Sequence, residues 1–239
     1  MTSQFRNIGL IGRVDSDLVR QSVQTLVVLL QQRELTVVLE EETSKALDSH
    51  SLQVASRKLI GEVCDMVIVV GGDGSLLGAA RDLARHDVPV LGINRGKLGF
   101  LTDIAPEDIE TGVSCVLEGN YETETRFLLE TELKRAGAVV GHSDAFNDVV
   151  LHSGQAPKML SFELYIEGEF VYSQRSDGLI VSTPTGSTAY SLSGGGPIMH
   201  PRLNAIVLVP MFPHTLSSRP LVVDGNSEIK IIVSENNHV

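Results

Sequence analysis

The residues of this chain that could most clearly take part in a chemical reaction are Gly71-Gly72-Asp73-Gly74-Ser75. They directly follow the apolar run 66–70 and precede the segment 76–85, whose residue spacing predicts a helix. A buried strand that ends in a glycine turn brings backbone N–H groups close to a phosphate, and the carboxylate of Asp73 adds a proton acceptor. The turn therefore predicts an enzyme that uses a nucleotide.

Three interpretations of this turn compete. It could be a tight strand-to-helix connection without a ligand, although three glycines in four positions are more than such a turn needs. It could bind a dinucleotide, but the spacing of Gly72, Gly74 and Gly78 is one residue longer than G-x-G-x-x-G. The next predicted strand also lacks the acidic residue that would hold a ribose, and the chain has no P-loop motif here.

The third interpretation is a phosphotransferase turn. The glycine N–H groups would hold phosphate oxygens, and Asp73 would accept a hydroxyl proton or contact a metal ion. Phosphoryl transfer depends on positioning and charge neutralisation, which a rigid glycine turn with one carboxylate suits.

A second constellation spans residues 177–197, where a predicted strand leads into a loop rich in serine, threonine and glycine. Such a loop offers many small donors and acceptors with little steric bulk, and Tyr190 could flank a base. The plainer interpretation is an edge turn whose hydroxyl groups satisfy the local backbone.

These motifs carry a resemblance to known kinases. Residues 71–74 resemble a motif that NAD kinases share with 6-phosphofructokinases and with diacylglycerol and sphingosine kinases, and this motif alone does not choose among them. Residues 177–197 closely resemble the glycine-rich signature of NAD kinases. Segments 92–101, 147–152 and 209–220 agree in the same order along the chain, and the likeness is greatest to the proteobacterial branch.

The resemblance implies transfer of the ATP γ-phosphate to the 2′-hydroxyl of the adenosine ribose of NAD, which gives NADP. It also implies a divalent cation, Mg²⁺ accompanying ATP, and a homo-oligomer, either a dimer or a tetramer. Alternative functions are a lipid or sugar kinase with the same glycine turn, or a non-catalytic NAD(H)-binding regulator. Members of the family usually continue beyond the position where this chain ends, so the second domain is expected to be incomplete.

The resemblance also assigns roles to individual residues. Asp73 matches the proton acceptor of the family and, with Gly74, contacts NAD. The remaining NAD-binding positions are Asn147, Asp148, Lys158, Arg175, Asp177, Thr188, Ala189, Tyr190, Ser191, Leu192 and Ser193.

Composition limits the partners that this chain is expected to have. The formal net charge of −11 disfavours nucleic acid and anionic membranes as partners. We expect a cytoplasmic protein, because the N-terminus lacks a signal-peptide pattern and no apolar run approaches the ~20 residues that span a bilayer. The two cysteines and seven histidines show no metal-binding spacing, so no metal site built from protein ligands alone is predicted.

Hydrophobic periodicity predicts an α/β N-terminal domain, 1–104, with a Rossmann-like parallel sheet covered by helices on both faces. In this domain Leu18 is expected on the apolar face of the first long helix, and 54–63 is expected to be helical. A linker, 105–125, carries a helix over 109–117. A β-rich, NAD-binding domain over 126–239 follows, with a hairpin that turns at Gly168.

Overall fold

The computed structural model describes residues 5–13, 16–45, 47, 50–95, 101–102, 104–154, 159–215 and 218–234. The chain divides into two compact units, Met1–Thr123 and Glu124–Val239.

The first unit alternates strands and helices. Its elements are β1 (Asn7–Gly12), α1 (Asp17–Gln32), β2 (Thr36–Glu40), α2 (Glu41–Ser44), β3 (Gln53–Ala55), α3 (Arg57–Val63), β4 (Met66–Gly71), α4 (Asp73–Leu83), β5 (Val90–Asn94) and α5 (Ile109–Leu117). Short 3₁₀ turns, Ala84–His86 and Pro106–Asp108, follow α4 and precede α5.

The five strands form one parallel sheet in the order β3-β2-β1-β4-β5. The chain moves outward from β1 to β3 and then resumes on the other side of β1 with β4. The strand order therefore reverses between β1 and β4, and crevices at the carboxyl ends of strands beside such a reversal are the usual ligand sites of open α/β sheets.

Side chains of β4 show that helices cover both faces of this sheet. Met66, Ile68 and Val70 lie in one core cluster with residues of α1 and α5, whereas Val67 and Val69 lie in a second cluster with residues of α3 and α4. A strand buried on both faces needs a continuous apolar run rather than an alternating one. The predicted fold class is confirmed in this unit.

Two local predictions are wrong for physical reasons, and a third misplaces the start of a helix. Residues 54–55 belong to the short strand β3, which pairs with β2, and α3 begins only at Arg57 after its N-cap Ser56. Leu18 is 53% exposed, because the buried face of α1 consists of Val19, Ser22, Val23, Leu26 and Leu30. The helix after the glycine turn also begins earlier than predicted, at Asp73.

The first unit buries one of the two cysteines. Cys64 lies in the second cluster, and its burial, helped by the neighbouring charge of Asp65, raises the pKa of its thiol to about 11. Cys115, on α5, is exposed. None of the described helices is both long enough and apolar enough to cross a membrane.

The second unit is almost entirely antiparallel. Its elements are β6 (Leu129–Arg135), β7 (Ala138–Ala145), β8 (Asp148–His152), β9 (Leu160–Ile166), β10 (Glu169–Ser176), β11 (Gly178–Ser182), α6 (Tyr190–Ser193), β12 (Ala205–Met211), β13 (Leu221–Asp224) and β14 (Ile229–Val233), with a 3₁₀ turn at Gly186–Thr188.

These strands form three sheets, ordered β10-β9-β14, β13-β12-β11-β8 and β6-β7. One core cluster draws residues from the first two sheets, among them Phe162 of β9, Leu179 of β11 and Leu208 of β12. A smaller cluster around Ile180 and Val209 covers the opposite side of the four-stranded sheet. The predicted hairpin at Gly168 is confirmed: Glu167 and Gly168 have φ values of 52° and 80°, as the commonest two-residue hairpin turns require.

Candidate functional site

The glycine turn lies at the carboxyl end of β4, beside the reversal of strand order. Gly72 is the extended N-cap of α4, and its carbonyl accepts hydrogen bonds from the N–H groups of Ser75 at 2.9 Å and Leu76 at 3.2 Å. Asp73 is thus the first helical residue. The first N–H groups of an α-helix have no partner within the helix, so this end of α4 presents donors and the positive end of the helix dipole.

The three glycines of the turn are present for different reasons. A Cβ on Gly71 would lie 2.5 Å from the Oγ of Ser75, so packing demands glycine there. Gly72 and Gly74 have no positive φ, and a Cβ on either would meet no heavy atom within 4 Å among the described residues. Neither backbone conformation nor packing against the described residues explains these two glycines, whereas the close approach of a ligand would.

The carboxylate of Asp73 is held in place rather than free in solvent. Its Oδ1 accepts a hydrogen bond of 3.3 Å from the backbone N–H of Leu101, and the residue is partly buried. A carboxylate fixed at the first position of a rigid helix has a defined direction, as proton transfer requires.

A cleft of about 290 Å³ opens beside the start of α4. It is lined by the ends of β1 and β2, by α2, by the start of α3 and by the first turns of α4, namely Ile11, Gly12, Arg13, Glu40, Glu42, Arg57, Gly74, Ser75 and Gly78. It combines two arginines with two glutamates, which keeps its formal charge balanced in an acidic protein.

Buried polar contacts fix the wall of this cleft. The carboxylate of Glu40 accepts hydrogen bonds from the N–H and the hydroxyl of Thr43, at 2.9 and 2.8 Å, and the Thr43 hydroxyl accepts the N–H of Gly12 at 2.8 Å. Arg57 pairs with Glu40 at 3.3 Å and with Asp82 at 2.7 Å. Burial opposes the charge of Arg57, but these two carboxylates outweigh it and raise the pKa of the guanidinium.

In the second unit, the loop after β11 is bound to the segment that precedes β8. The Thr183 N–H donates to the carbonyl of Asn147 at 2.9 Å, and the Thr183 hydroxyl donates to the carbonyl of Phe146 at 2.8 Å. A Cβ on Gly186 would overlap the Asn147 carbonyl, so glycine is needed for this close approach. The structure thus brings the predicted pair Asn147 and Asp148 to the predicted loop.

Ser187 anchors the same loop from inside. Its side chain is fully buried, its hydroxyl donates to the carbonyl of Pro184 at 2.6 Å, and it accepts the N–H of Met199 at 3.0 Å. The hydroxyl group therefore connects the two ends of the glycine-rich segment.

Asp148, the first residue of β8, contacts the start of α6. It accepts a hydrogen bond from the backbone N–H of Tyr190. Partial burial raises the pKa of the Asp148 carboxyl, and the Tyr190 hydrogen bond opposes part of that rise. Of the other predicted loop residues, Thr188 and Ala189 are half-buried, whereas Tyr190, Leu192 and Ser193 are exposed.

Two buried polar atoms at this loop have no hydrogen-bond partner among the described residues. They are Oδ1 of Asn147 and Oγ of Ser191. Unpaired buried polar atoms cost free energy, so native structures pair nearly all of them with protein, water or ligand. Their presence beside the exposed ring of Tyr190 marks this loop as a place where further hydrogen bonds can form.

Arg175 and Asp177 lie at the opposite end of β11 from this loop. Ser182 pairs with Asp148 and Gly178 with His152, and these two ends of β11 are about 13 Å apart at ~3.3 Å per residue. Arg175 is exposed, and among the described residues its guanidinium makes no ion pair. Lys158 and residues 96–100 of the matched segment lie outside the described residues.

Several residues of these sites were not predicted from the sequence. In the first unit they are Arg13, Glu40 and Arg57, and in the second Ser187 and Arg126, whose guanidinium contacts Thr185. Of these residues, only Ser187 could have been found from the sequence, because it lies in the hydroxyl-rich loop.

The described residues include one group of side chains with metal-binding atoms: Glu130, His142 and Asp144 on the β6-β7 hairpin. His142 Nε2 lies 3.5 Å from Glu130 and 3.8 Å from Asp144, and Glu130 is 65% exposed. Glu130 and His142 are exposed and Asp144 is half-buried, so this group lies at the surface of the hairpin.

Comparisons with known proteins agree with one another. Residues 8–121 match the family model for the ATP-NAD kinase N-terminal domain, and residues 146–239 match that for the ATP-NAD kinase C-terminal domain. The chain is 65% identical over 231 residues to the NAD kinase of Ectopseudomonas mendocina (strain ymp), covering 97% of this chain and 78% of that protein. It is 64% identical over 232 residues to the NAD kinase of Pseudomonas fluorescens (strain SBW25), with the same coverage of 97% and 78%.

Two solved structures are similar. Yeast NADH kinase complexed with NADH superimposes with a TM-score of 0.87 at 28% identity, over 96% of this chain and 72% of that one. An NAD kinase from Archaeoglobus fulgidus in complex with ATP gives a TM-score of 0.75 at 29% identity, over 95% of this chain and 80% of that one.

Proposed function

Because the chain belongs to the NAD kinase family, we propose that it transfers the γ-phosphoryl group of ATP to the 2′-hydroxyl of the adenosine ribose of NAD. The 2′-oxygen attacks the γ-phosphorus, the bond from that phosphorus to the β,γ-bridging oxygen breaks, and ADP leaves. The products are NADP and ADP. The observation that carries this proposal is that both family models match in order, one in each unit, with residues 71–74 intact.

Asp73 is the base that takes the proton of the 2′-hydroxyl. In support, its carboxylate is oriented by the Leu101 N–H, and it stands at the start of α4 between two glycines that no described residue crowds. A general base must lie within hydrogen-bond reach of the proton that it removes, and side chains at Gly72 or Gly74 would narrow the approach.

Phosphate oxygens bind at the N-terminus of α4. The turn offers backbone donors and the positive end of the helix dipole, and the adjoining cleft of about 290 Å³ gives room beside Gly74 and Ser75. ATP enters as its Mg²⁺ complex, so the cation is part of the substrate and reduces the negative charge on the phosphates.

The β-rich region, 126–239, binds NAD. The carboxylate of Asp148 suits a ribose diol because it can accept two hydroxyl donors, and Oδ1 of Asn147 is buried without a partner among the described residues. Residues 188–193 supply the surrounding loop, and the ring of Tyr190, 46% exposed, is available to flank a base.

Other parts of the proposal rest on family membership alone. They are NAD contacts by Arg175, Asp177 and Lys158, a location in the cytoplasm, and a homo-oligomer, either a dimer or a tetramer. The acidic net charge of −11 supports the exclusion of nucleic acid and membranes as partners. Light scattering of the purified chain measures the oligomeric state, and a monomeric mass would overturn that part.

The purified chain, given NAD, ATP and Mg²⁺, should form NADP, measured with a dehydrogenase that accepts only NADP. Parallel assays with a sugar phosphate and with diacylglycerol test the other kinases that share the glycine turn. Transfer to either acceptor without NADP formation would reject the proposal. Tight NAD binding in calorimetry without turnover would instead identify a regulator.

A further inference from the structure

Arg126, near the start of the second unit, contacts the glycine-rich loop through its side chain. It lies in the stretch without regular structure before β6, two residues after Glu124. Its neighbours Phe127 and Leu129 pack in the main core of this unit. The backbone at Arg126 is therefore anchored, and its guanidinium starts from a fixed position.

The guanidinium connects two groups that are distant in sequence. Its Nη2 donates to the carboxylate of Glu124 at 2.5 Å, and its Nη1 donates to the hydroxyl of Thr185 at 3.1 Å. Only 16% of the Arg126 side chain is exposed. Because guanidinium is planar, its pairing with Glu124 fixes the direction of the bond to Thr185.

Thr185 directly precedes the part of the glycine-rich loop that leads to residues 188–193. It is the N-cap of the 3₁₀ turn at Gly186–Thr188, and its carbonyl accepts the hydroxyl of Thr188 at 3.4 Å. Ala189 and α6 follow directly. A displacement of Thr185 would therefore be passed on to Thr188 and Tyr190.

Arg202 provides a natural comparison, because it lies near the same carboxylate of Glu124. Its Nε lies 4.0 Å from the other oxygen of Glu124, its side chain is 72% exposed, and among the described residues it makes no contact with Thr185. The two arginines share a carboxylate, but only Arg126 joins that carboxylate to the loop.

We infer that Arg126 is a positioning residue for NAD: it holds Thr185, and through it residues 188–193, in the conformation that receives the dinucleotide. It touches no substrate itself. Its contribution should thus appear in NAD binding, with little effect on the chemical step or on ATP. This inference rests on the proposed function, since it concerns the NAD-binding loop of that same activity.

The test replaces Arg126 with methionine, which keeps an apolar stem and removes the guanidinium. We expect KM for NAD to rise about tenfold, the loss expected for one charge-assisted hydrogen bond. We expect kcat and KM for ATP to stay within about twofold of the wild type. Thr185→Val should raise KM for NAD similarly, and the double variant should be no worse than either single one, because both changes remove the same bond.

Arg202→Met is the matched control, because it removes a guanidinium beside the same carboxylate and should leave KM for NAD unchanged. Arg126→Lys should recover only part of the affinity, since one ammonium group cannot reproduce the fork between Glu124 and Thr185. Hydrogen exchange supplies a readout without activity: the Ala189 N–H, bonded to the Gly186 carbonyl at 2.9 Å, should exchange faster in Arg126→Met and at the wild-type rate in Arg202→Met.

The inference is overturned if Arg126→Met leaves either KM for NAD or Ala189 exchange unchanged, or if kcat and the melting temperature fall while KM for ATP rises. The second pattern would mean that Arg126 only supports folding. A wild-type chain that forms no NADP would reject the proposed function instead, and the exchange comparison would still decide whether Arg126 holds the loop.

Discussion

The two units position their site residues by different physical means. In the first, Asp73 and its glycines lie where a parallel strand buried on both faces meets a helix, so the sheet and the helix backbone set the geometry. In the second, short antiparallel strands are joined by a loop whose shape depends on side-chain hydroxyls, those of Thr183, Thr185 and Ser187. Regular secondary structure fixes the first site, and individual hydrogen bonds fix the second.

This difference predicts how each site fails. Substitutions at the first should abolish chemistry and leave folding intact, because the residues that the structure describes do not fill the space beside Gly72 and Gly74. Substitutions that break the loop contacts of the second should lower both NAD affinity and stability, because the same contacts shape the loop and hold it to the sheet. Four variants test this comparison, from the largest expected effect to the smallest.

Asp73→Asn should lower kcat by about 10²–10⁴-fold, the usual cost of removing a general base. The amide is isosteric and its oxygen still accepts the Leu101 N–H, so NAD affinity, measured by calorimetry, should hardly change. Asp17→Asn is the control, since Asp17 is also the first residue of a helix but is 89% exposed. Near-normal turnover of Asp73→Asn would remove Asp73 from the mechanism.

Gly186→Ala should lower the free energy of unfolding by about 1–3 kcal/mol, because its Cβ would overlap the Asn147 carbonyl and force the loop away from β8. KM for NAD should rise in the same variant. Urea denaturation and steady-state kinetics measure the two effects. A variant as stable as the wild type, with an unchanged KM for NAD, would show that the loop shape is independent of this contact.

Gly74→Ala is the counterpart in the first unit. Gly74 is the second residue of α4 with no close neighbour described, so alanine should stabilise the helix by up to about 1 kcal/mol. Its methyl group would occupy space assigned to a ligand, and kcat/KM should fall at least about tenfold. A clear loss of stability would contradict the contrast between the units, and full activity would contradict a ligand beside Gly74.

Asp148→Asn should have the smallest effect on stability, and the size of that effect depends on pH. Burial raises the pKa of Asp148 in the folded state, so below the unfolded pKa both states are protonated and the group contributes nothing. As the pH rises through the folded pKa, the folded protein acquires a half-buried charge and loses stability, a loss that is complete above that pKa.

Asparagine avoids that charge, so this variant should melt up to about 2 °C higher than the wild type at pH 7 and at the same temperature near pH 3. NAD binding should weaken, because the amide no longer offers two accepting oxygens to a diol. A variant less stable than the wild type at pH 7 would show that the Tyr190 hydrogen bond outweighs desolvation.

How much the sequence predicted also differs between the units. Strand β4 could be predicted because its five apolar residues are continuous. Asp73 could be identified as a candidate site residue because three glycines surround it. The short β3 was missed because three residues gain strand character only by pairing with β2. Hairpin β6-β7 was missed because most of its side chains are exposed, which leaves no clear alternation.

Sequence patterns identified the loop over 183–196 by composition but not the residues that hold it. Arg126 and Thr185 are 59 positions apart, and nothing local distinguishes this arginine from a solvated one. The same is true of Arg57 and Glu40 at the first cleft, which meet only because α3 crosses beside the end of β2. Side chains that are far apart in the sequence can be recognised as partners only in the folded chain.

The contrast between the two cysteines has a practical consequence for studying this protein. Cys64 is buried with a thiol pKa of about 11, so at neutral pH it is almost entirely protonated and unreactive toward maleimides. Cys115 is exposed on α5, and the chain has no other cysteine. A fluorescent dye should therefore attach at one known position without mutagenesis, which offers a single-site reporter for ligand titrations in a protein that lacks tryptophan.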